Sequence, residues 1–323
     1  MSLLVLSQKE IKESITMPQA IQVMELAFKE FYAKKAIMPL RTPLSIENEK
    51  ALMLTMPAYL SESLALGLKV VSIFPNNKTQ NLPVINGVIL LLNEQTGEAQ
   101  ALMEASYLTA LRTGAVSGLA TQYLAPATAK HVAIIGAGAQ ALTQFQAIAA
   151  VRPIQTVSLW SRDIRNAQEF AKQIVGDYEV HCFATVAEAV RNADVICTAT
   201  ASTEPLIQLA DLKEGAHINA VGAHTHAMCE ISNEVMSNAL IVVDQLEAAL
   251  AESGEVYAAL QAQCIQQKDI IELGSLMGRE LKTPTQRFSV FKSVGLAIQD
   301  MSIAHAVYKN ALEKNLGTYL ALS

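Results

Sequence analysis

The stretch His131-Val-Ala-Ile-Ile-Gly-Ala-Gly-Ala-Gln-Ala141 decides the fold. Its first half, Val132-Ala133-Ile134-Ile135, is apolar and β-prone, as a strand buried in a parallel sheet is. Gly136, Gly138 and Ala141 then occupy the three small-residue positions of a dinucleotide-binding turn. The first allows the tight turn, the second lets backbone approach a pyrophosphate, and the third lets helix and strand pack closely. Ala139 and Gln140 complete the turn, and the helix that follows offers unpaired N–H groups and a partial positive charge to phosphates.

Strand-like and helix-like segments alternate outward from this turn. Thr156–Trp160 reads as a strand and Ile164–Val175 as an amphipathic helix; Glu179–Phe183 is a strand and Val186–Asn192 a helix. Asp194–Thr198, His217–Val221 and Leu240–Val243 are further strands. The alternation predicts an α/β fold with a Rossmann-like, doubly wound parallel sheet over residues 127–299. Upstream, Met17–Lys34 reads as a helix, and Ala51–Pro57, Leu66–Ile73 and Gly87–Leu92 as strands, with Asn93–Gly97 as a polar turn. Leu108–Tyr123 reads as a helix of small residues, as if packed against something close, and 125–128 as a linker. Residues 1–126 hold no second glycine turn. They are expected to form an α+β substrate domain, joined by a C-terminal helix over 300–323.

The chain has 323 residues, is 51% hydrophobic and carries a net charge of −6. That size supports two domains. The acidic balance, with no Lys/Arg cluster, argues against a nucleic-acid partner. No apolar run approaches the roughly 18 residues of a membrane span. The early residues Lys9, Glu10, Lys12 and Glu13 are unlike the apolar stretch of a secretory leader, so a cytoplasmic location is expected. Cys182, Cys197, Cys229 and Cys264 are scattered without metal-ligand spacing; they read as reduced, and no metal is expected.

The second strand after the glycine turn ends Leu159-Trp160-Ser161-Arg162-Asp163. An acidic residue in this place binds the ribose 2′-hydroxyl of NAD. Here the slot falls on Ser161, with Arg162 beside it, which favours a 2′-phosphate and hence NADPH over NADH. The alternative is that Arg162 is solvated and Asp163 holds the ribose.

Three cations stand out in the first domain. Arg41 lies between prolines in Pro39-Leu-Arg-Thr-Pro43, Lys69 interrupts an apolar strand, and Arg112 lies on the small-residue helix. A lysine in a strand more often faces solvent, and an arginine on a helix more often forms a surface ion pair. Together the three are suited to a carboxylate.

The chain resembles the ornithine cyclodeaminase/μ-crystallin family over nearly its whole length. The resemblance rests on the Arg41 segment, Gly67-Leu-Lys-Val-Val-Ser-Ile-Phe-Pro-Asn76, Leu111-Arg-Thr-Gly-Ala-Val-Ser-Gly118, the glycine turn, and Val290-Phe-Lys-Ser-Val-Gly-Leu-Ala-Ile-Gln-Asp300. It implies a homodimer whose first domain supplies the interface. It implies that Arg41, Lys69 and Arg112 bind a substrate carboxylate. It implies a cofactor lined by Thr113, Gly136, Gly138, Ala139, Gln140, Ser161, Arg162, Thr198, Ala199, Thr200, Val221, Gly222, Lys292 and Ser293.

The family mixes activities, and the segment Val221-Gly-Ala-His-Thr-His-Ala-Met-Cys-Glu-Ile231 separates them. Cyclodeaminases of the family carry Asp two residues after the glycine, where this chain has His224. Several ketimine reductases carry Asp five residues after it, where this chain has Ala227. The segment resembles the pyrroline-2-carboxylate reductase type, with His224 and His226 as departures. The expected activity is NAD(P)H-dependent reduction of a cyclic imino acid. Arg41 and Arg112 would clamp the carboxylate, and Lys69 would orient it or a proton-donating water. His224 or His226 would supply the ring-nitrogen proton. Either histidine could equally be a loop residue bonded to backbone, and Glu230 reads as a helix cap. The other activities considered are ornithine cyclodeamination, alanine dehydrogenase-type reductive amination, and non-catalytic NADPH or hormone binding.

Overall fold

The computed structural model describes residues 2–80, 82–278 and 287–322. The chain divides into two compact units. One holds the described residues up to Arg112 together with those from Leu296 onward; the other is Thr113–Gly295. Met1, Ser323 and 279–286, which fall within the expected domain limits, lie outside the described residues.

The Thr113–Gly295 unit is built on an eight-stranded sheet whose described pairings are all parallel. The strand His131–Ile135 is flanked by Thr156–Trp160 on one side and Val195–Thr198 on the other. The chain winds outward in opposite directions from this pair, so the switch point lies where the glycine turn leaves the sheet. Strand residues alternate between two apolar cores. Val132, Ile134, Val157 and Leu159 join one, and Ala133, Ile135, Ile196 and Ile218 the other. A sheet covered on both faces demands this continuous apolar character.

Two strands of this sheet escape the pattern reading: the short Ile271–Glu272 and the fully buried Phe288–Lys292, which lies between His217–Ala220 and Ala239–Val243. The helix expected over Ile164–Val175 stops at Ala171, and Val175 is exposed. The division between units falls inside helix Ala105–Leu124, not at the 125–128 linker. The reason is close packing: a Cβ on Gly114 would lie 2.4 Å from the Thr143 carbonyl oxygen, so the small residues admit helix Ala141–Val151.

The other unit carries a mixed eight-stranded sheet. Ala51–Leu60, Ala65–Ile73, Ile85–Leu92 and Ala99–Glu104 form an antiparallel meander, with Gly97 at φ 73° in the turn after Asn93. One face, with Met56, Ile89, Leu91 and Met103, is buried. Helix Met17–Tyr32 and helix Ala297–Lys314 pack in this unit, the second lying against the meander strands. The expected C-terminal helix over 300–323 ends at Lys314, where Asn315 turns left-handed. The chain then forms the strand Thr318–Ala321, antiparallel to Ser2–Leu6.

Candidate functional site

Two polar constellations stand out, one in each unit. In Thr113–Gly295, the carboxyl ends of the strands His131–Ile135, Thr156–Trp160 and Val195–Thr198 open into a pocket of about 360 Å³. Of the residues expected to hold a cofactor, Gly136, Ser161, Arg162, Ala199 and Thr200 line it. Trp160, Asn166 and Ser202 line it too, and the motif gave no sign of the last two. The Trp160 indole N–H donates to the Ala184 carbonyl at 3.2 Å, which anchors the ring.

Gly136 has φ 111°, and a Cβ there would meet the Ala199 carbonyl oxygen at 2.6 Å. Any side chain is excluded by the protein's own backbone. Gly138 is different: a Cβ on it would touch nothing within 4 Å. Its glycine is not required by packing, which leaves room for a ligand beside the turn. Helix Ala141–Val151 starts beyond it with no side-chain cap and no acidic residue in its first turn. Its free N–H groups face an anion-binding position. Ala139 is exposed and Gln140 half-buried at this start. Thr198 is buried, and its hydroxyl has no hydrogen-bond partner among the described residues; both polar side-chain atoms of the buried Gln144 also lack one there. Orphaned polar atoms beside an uncapped helix end fit a dinucleotide. Asp163 caps helix Ile164–Ala171 and is held by Arg165, with Nη2 to Oδ2 at 2.6 Å.

Glu230 corrects an expectation. It is not a helix cap; Ser232 caps helix Asn233–Ser237. The fully buried Glu230 carboxylate accepts from the Thr200 N–H and hydroxyl at 2.7 and 2.8 Å, and from the N–H groups of Gly222 and Ala223 at 2.9 and 3.2 Å. It ties the pocket-lining Thr200 to the turn after strand His217–Ala220, where Val221 and Gly222 lie. Burial pushes its pKa up, while Lys292 opposes the rise.

Lys292 and Ser293, also expected beside the cofactor, are buried and bonded within their unit. Lys292 is fully buried, its Nζ 3.1 Å from the Glu255 carboxylate and 2.5 Å from the Ala223 carbonyl oxygen. Ser293 donates to Asp244, which also accepts from the N–H groups of Val294 and Gly295. These residues end a core strand, so their side chains brace loops. Thr113 is buried as well. His224 is exposed, with Nδ1 3.0 Å from the Gly222 carbonyl oxygen. His226 bonds the Leu250 carbonyl oxygen through Nε2 at 3.1 Å and stacks on Tyr257 at 4.4 Å. Both take the backbone-bonded arrangement, and His226 in addition pins its loop. Among the described residues no group of three His, Cys, Asp or Glu side chains could hold a metal ion. The buried Cys197 thiol is pushed up to about 12 by desolvation.

The second constellation lies in the other unit. Lys69 points from strand Ala65–Ile73 into the buried face, in register with Met56 and Ile89, and is 3% exposed. Arg112 is 6% exposed. Both converge on Asp300, which is 0% exposed in the first turn of helix Ala297–Lys314. Lys69 Nζ lies 2.7 Å from Oδ2, Arg112 Nε lies 3.0 Å from Oδ1, and Arg112 Nη1 donates to Gln299 Oε1 at 2.6 Å. These bonds engage two of the five guanidinium N–H groups among the described residues, and the remainder suit a ligand carboxylate. Burial pulls the Lys69 pKa down to about 8; Asp300 opposes this, and the charges of Arg112 and Arg41 add to it. Arg41, half-buried before strand Thr42–Ile46, therefore bears on the same amine. Asp300 was not singled out as a site residue. Its signal was periodicity: Asp300, Ile303, Ala304, Val307 and Ala311 share the buried helix face, and a carboxylate there needs a partner.

A parallel sheet with a glycine cradle at its switch point, in a chain with a separate unit holding a buried cation–carboxylate cluster, defines a nucleotide-dependent enzyme class. The match to the Ornithine cyclodeaminase/mu-crystallin family covers residues 1–315, and the chain belongs to that family. It is 38% identical over 321 residues to the Delta(1)-pyrroline-2-carboxylate reductase of Bacillus cereus, covering 98% of each chain. Among solved structures it superposes on the Thermococcus litoralis Delta(1)-pyrroline-2-carboxylate reductase in complex with NADH and L-proline with a TM-score of 0.93, at 37% identity, covering 98% of this chain and 99% of that one. An archaeal alanine dehydrogenase dimer with bound NAD matches with a TM-score of 0.91 at 33% identity, covering all of both chains.

Proposed function

We propose that this protein is an NAD(P)H-dependent reductase of small cyclic imino acids, converting Δ1-pyrroline-2-carboxylate or Δ1-piperideine-2-carboxylate to L-proline or L-pipecolate. The observation that carries the choice is the state of the loop carboxylate. Glu230 is the single acidic residue between Gly222 and Glu230, and both its oxygens accept two hydrogen bonds. The loop then offers no free carboxylate to take a proton from a substrate amine, the role an acidic loop residue would fill in cyclodeamination. Reduction of a ready-made imine asks for less.

A bound nicotinamide supplies a hydride to the carbon bearing the carboxylate. Arg112, with its remaining N–H groups, and Arg41 hold the carboxylate. Lys69 gives a proton to the ring nitrogen, which makes the C=N carbon electrophilic. Overall, one imine, one NAD(P)H and one proton become one amine and one NAD(P)⁺. His224 bonds Gly222 through Nδ1, so its Nε2 is the nitrogen available to exchange a proton with solvent or product.

Ser161 and Arg162 on the pocket wall, with Asp163 occupied by Arg165, favour NADPH over NADH. The NADH and NAD complexes of the two structural relatives keep NADH as a usable donor. A homodimer is supported by the second face of the meander. Pro57, Leu68, Leu90 and Leu102 lie in one row across it, and Tyr59, Leu66 and Leu92 in another; all are half-exposed. A solvated sheet face is normally polar, so this apolar face suits a second copy.

The test is cofactor oxidation across pyrroline-2-carboxylate, piperideine-2-carboxylate, and pyruvate with ammonia or methylamine, alongside solution mass. Fast turnover of a cyclic imine by a dimer supports the reading. Turnover of pyruvate with ammonia alone, or ornithine deamination without net cofactor consumption, contradicts it.

A further inference from the structure

Lys69 is unusual in being a buried amine among apolar strand neighbours, facing more positive than negative charge. Three elements bring charge to it: helix Ala297–Lys314 brings Asp300, helix Ala105–Leu124 brings Arg112, and the segment before strand Thr42–Ile46 brings Arg41. Two of these are cations. Asp300 is the carboxylate that touches both Lys69 and Arg112, one oxygen to each. Its neighbour Gln299 holds the other end of the same guanidinium.

We infer that Asp300 is a positioning residue for imine reduction: it holds the transferable proton on Lys69 Nζ and sets the orientation in which Arg112 meets the substrate carboxylate. This rests on the reductase reading above. The chemistry balances without a further reactant. Lys69 transfers its proton to the imine nitrogen, forming an N–H bond and leaving a neutral amine beside Asp300. The hydride then forms the C–H bond and the C=N π pair becomes the nitrogen lone pair. Lys69 regains a proton from solvent, as does the product amine.

Geometry makes the direction of the effect definite. Burial and two arginines favour the neutral amine, and Asp300, 2.7 Å from Nζ, opposes them. Burial pulls the Lys69 pKa down to about 8 with the carboxylate in place. Without it the proton is lost at lower pH. Arg112 also loses the partner of its Nε, so it approaches a carboxylate without a fixed orientation.

The experiment is the pH dependence of kcat/KM for pyrroline-2-carboxylate in the wild type, Asp300→Asn and Lys69→Arg, with KM recorded separately. The wild type should lose activity above about pH 8. Asp300→Asn should move that limb down by at least about one unit, so that activity at pH 8 falls at least about fivefold more than at pH 6. Its KM should rise. Lys69→Arg cannot titrate in this range, so the limb should vanish whatever activity remains.

A uniform loss at every pH in Asp300→Asn indicates a purely structural role and overturns the inference. So does an alkaline limb that persists in Lys69→Arg, which decides the matter even where Asp300→Asn does not fold. A wild type that reduces no cyclic imine at any pH contradicts the reductase reading itself.

Discussion

The glycine cradle and the Lys69–Asp300–Arg112 cluster bind charge by opposite means. The cradle is made of backbone. Its donors are the N–H groups of a turn and a helix start, held outward by Gly136 and left without a side-chain cap. The cluster is made of buried side chains in which one carboxylate offsets part of the charge of two cations. A backbone site is rigid and cheap to desolvate, and it fails when a side chain intrudes. A buried charge cluster is held by mutual compensation, and it fails when one member leaves its partners unpaired.

Substitutions should break the two along those lines. The largest effect is expected from Arg112→Ala, which removes the carboxylate donor and strips Asp300 of one partner. Truncating a buried charge pair costs about 2–5 kcal/mol, so kcat/KM for pyrroline-2-carboxylate should fall by about thirtyfold or more. Steady-state kinetics giving near-normal efficiency would take Arg112 out of the site. Next comes Arg162→Ala. Loss of charge-assisted hydrogen bonds of about 1.5–3 kcal/mol should weaken NADPH by about ten- to a hundredfold and leave NADH nearly unchanged. Equal loss for both nucleotides, measured by titration, would place the 2′-phosphate elsewhere.

The glycine pair gives a sharper contrast of smaller size. Gly136→Ala forces backbone strain of about 1–3 kcal/mol, visible in denaturant unfolding. Gly138→Ala should unfold within about 0.5 kcal/mol of the wild type yet bind nucleotide poorly. Equal stability losses would mean that Gly138 serves packing after all.

The smallest effect is a pH dependence. His217 is buried between Ser289 and Asn219, and desolvation pulls its pKa down to about 3. Between pH 6.5 and 3 the unfolded chain binds a proton that the folded chain refuses. Its contribution is therefore complete above pH 6.5 and lost as pH falls, by at most about 1.4 kcal/mol per unit. Denaturant midpoints between pH 7.5 and 5 should decline more steeply for the wild type than for His217→Gln. Parallel lines would show that His217 is not the group responsible.

The same contrast explains what could be read from the chain. The cradle is local: a strand, two glycines and a helix start within eleven consecutive positions, so His131–Ala141 announced it. Ser161 and Arg162 followed at the next strand end for the same reason. Lys69 and Arg112 were visible as cations in apolar settings, but Asp300 stands 188 residues beyond Arg112, and only the fold joins them. Lys292 and Ser293 were expected beside a cofactor from resemblance alone, and the partners they take at the buried end of strand Phe288–Lys292 leave no local sequence mark. Glu230 was misread as a cap because its four donors come from two loops that meet only in the folded unit. Thr318–Ala321 was lost to an overextended helix, since the left-handed stop at Asn315 leaves no strong sequence mark.

Direct hydride reduction of a cyclic imine leaves an isotopic record in its product. NADPH carrying deuterium at nicotinamide carbon 4, on the transferred face, should be oxidised by the enzyme with Δ1-pyrroline-2-carboxylate. L-proline should form with one deuterium on the carbon bearing the carboxylate, one per NADPH consumed. Proline without deuterium at that carbon, or no proline while the enzyme turns over another substrate, would contradict direct hydride reduction.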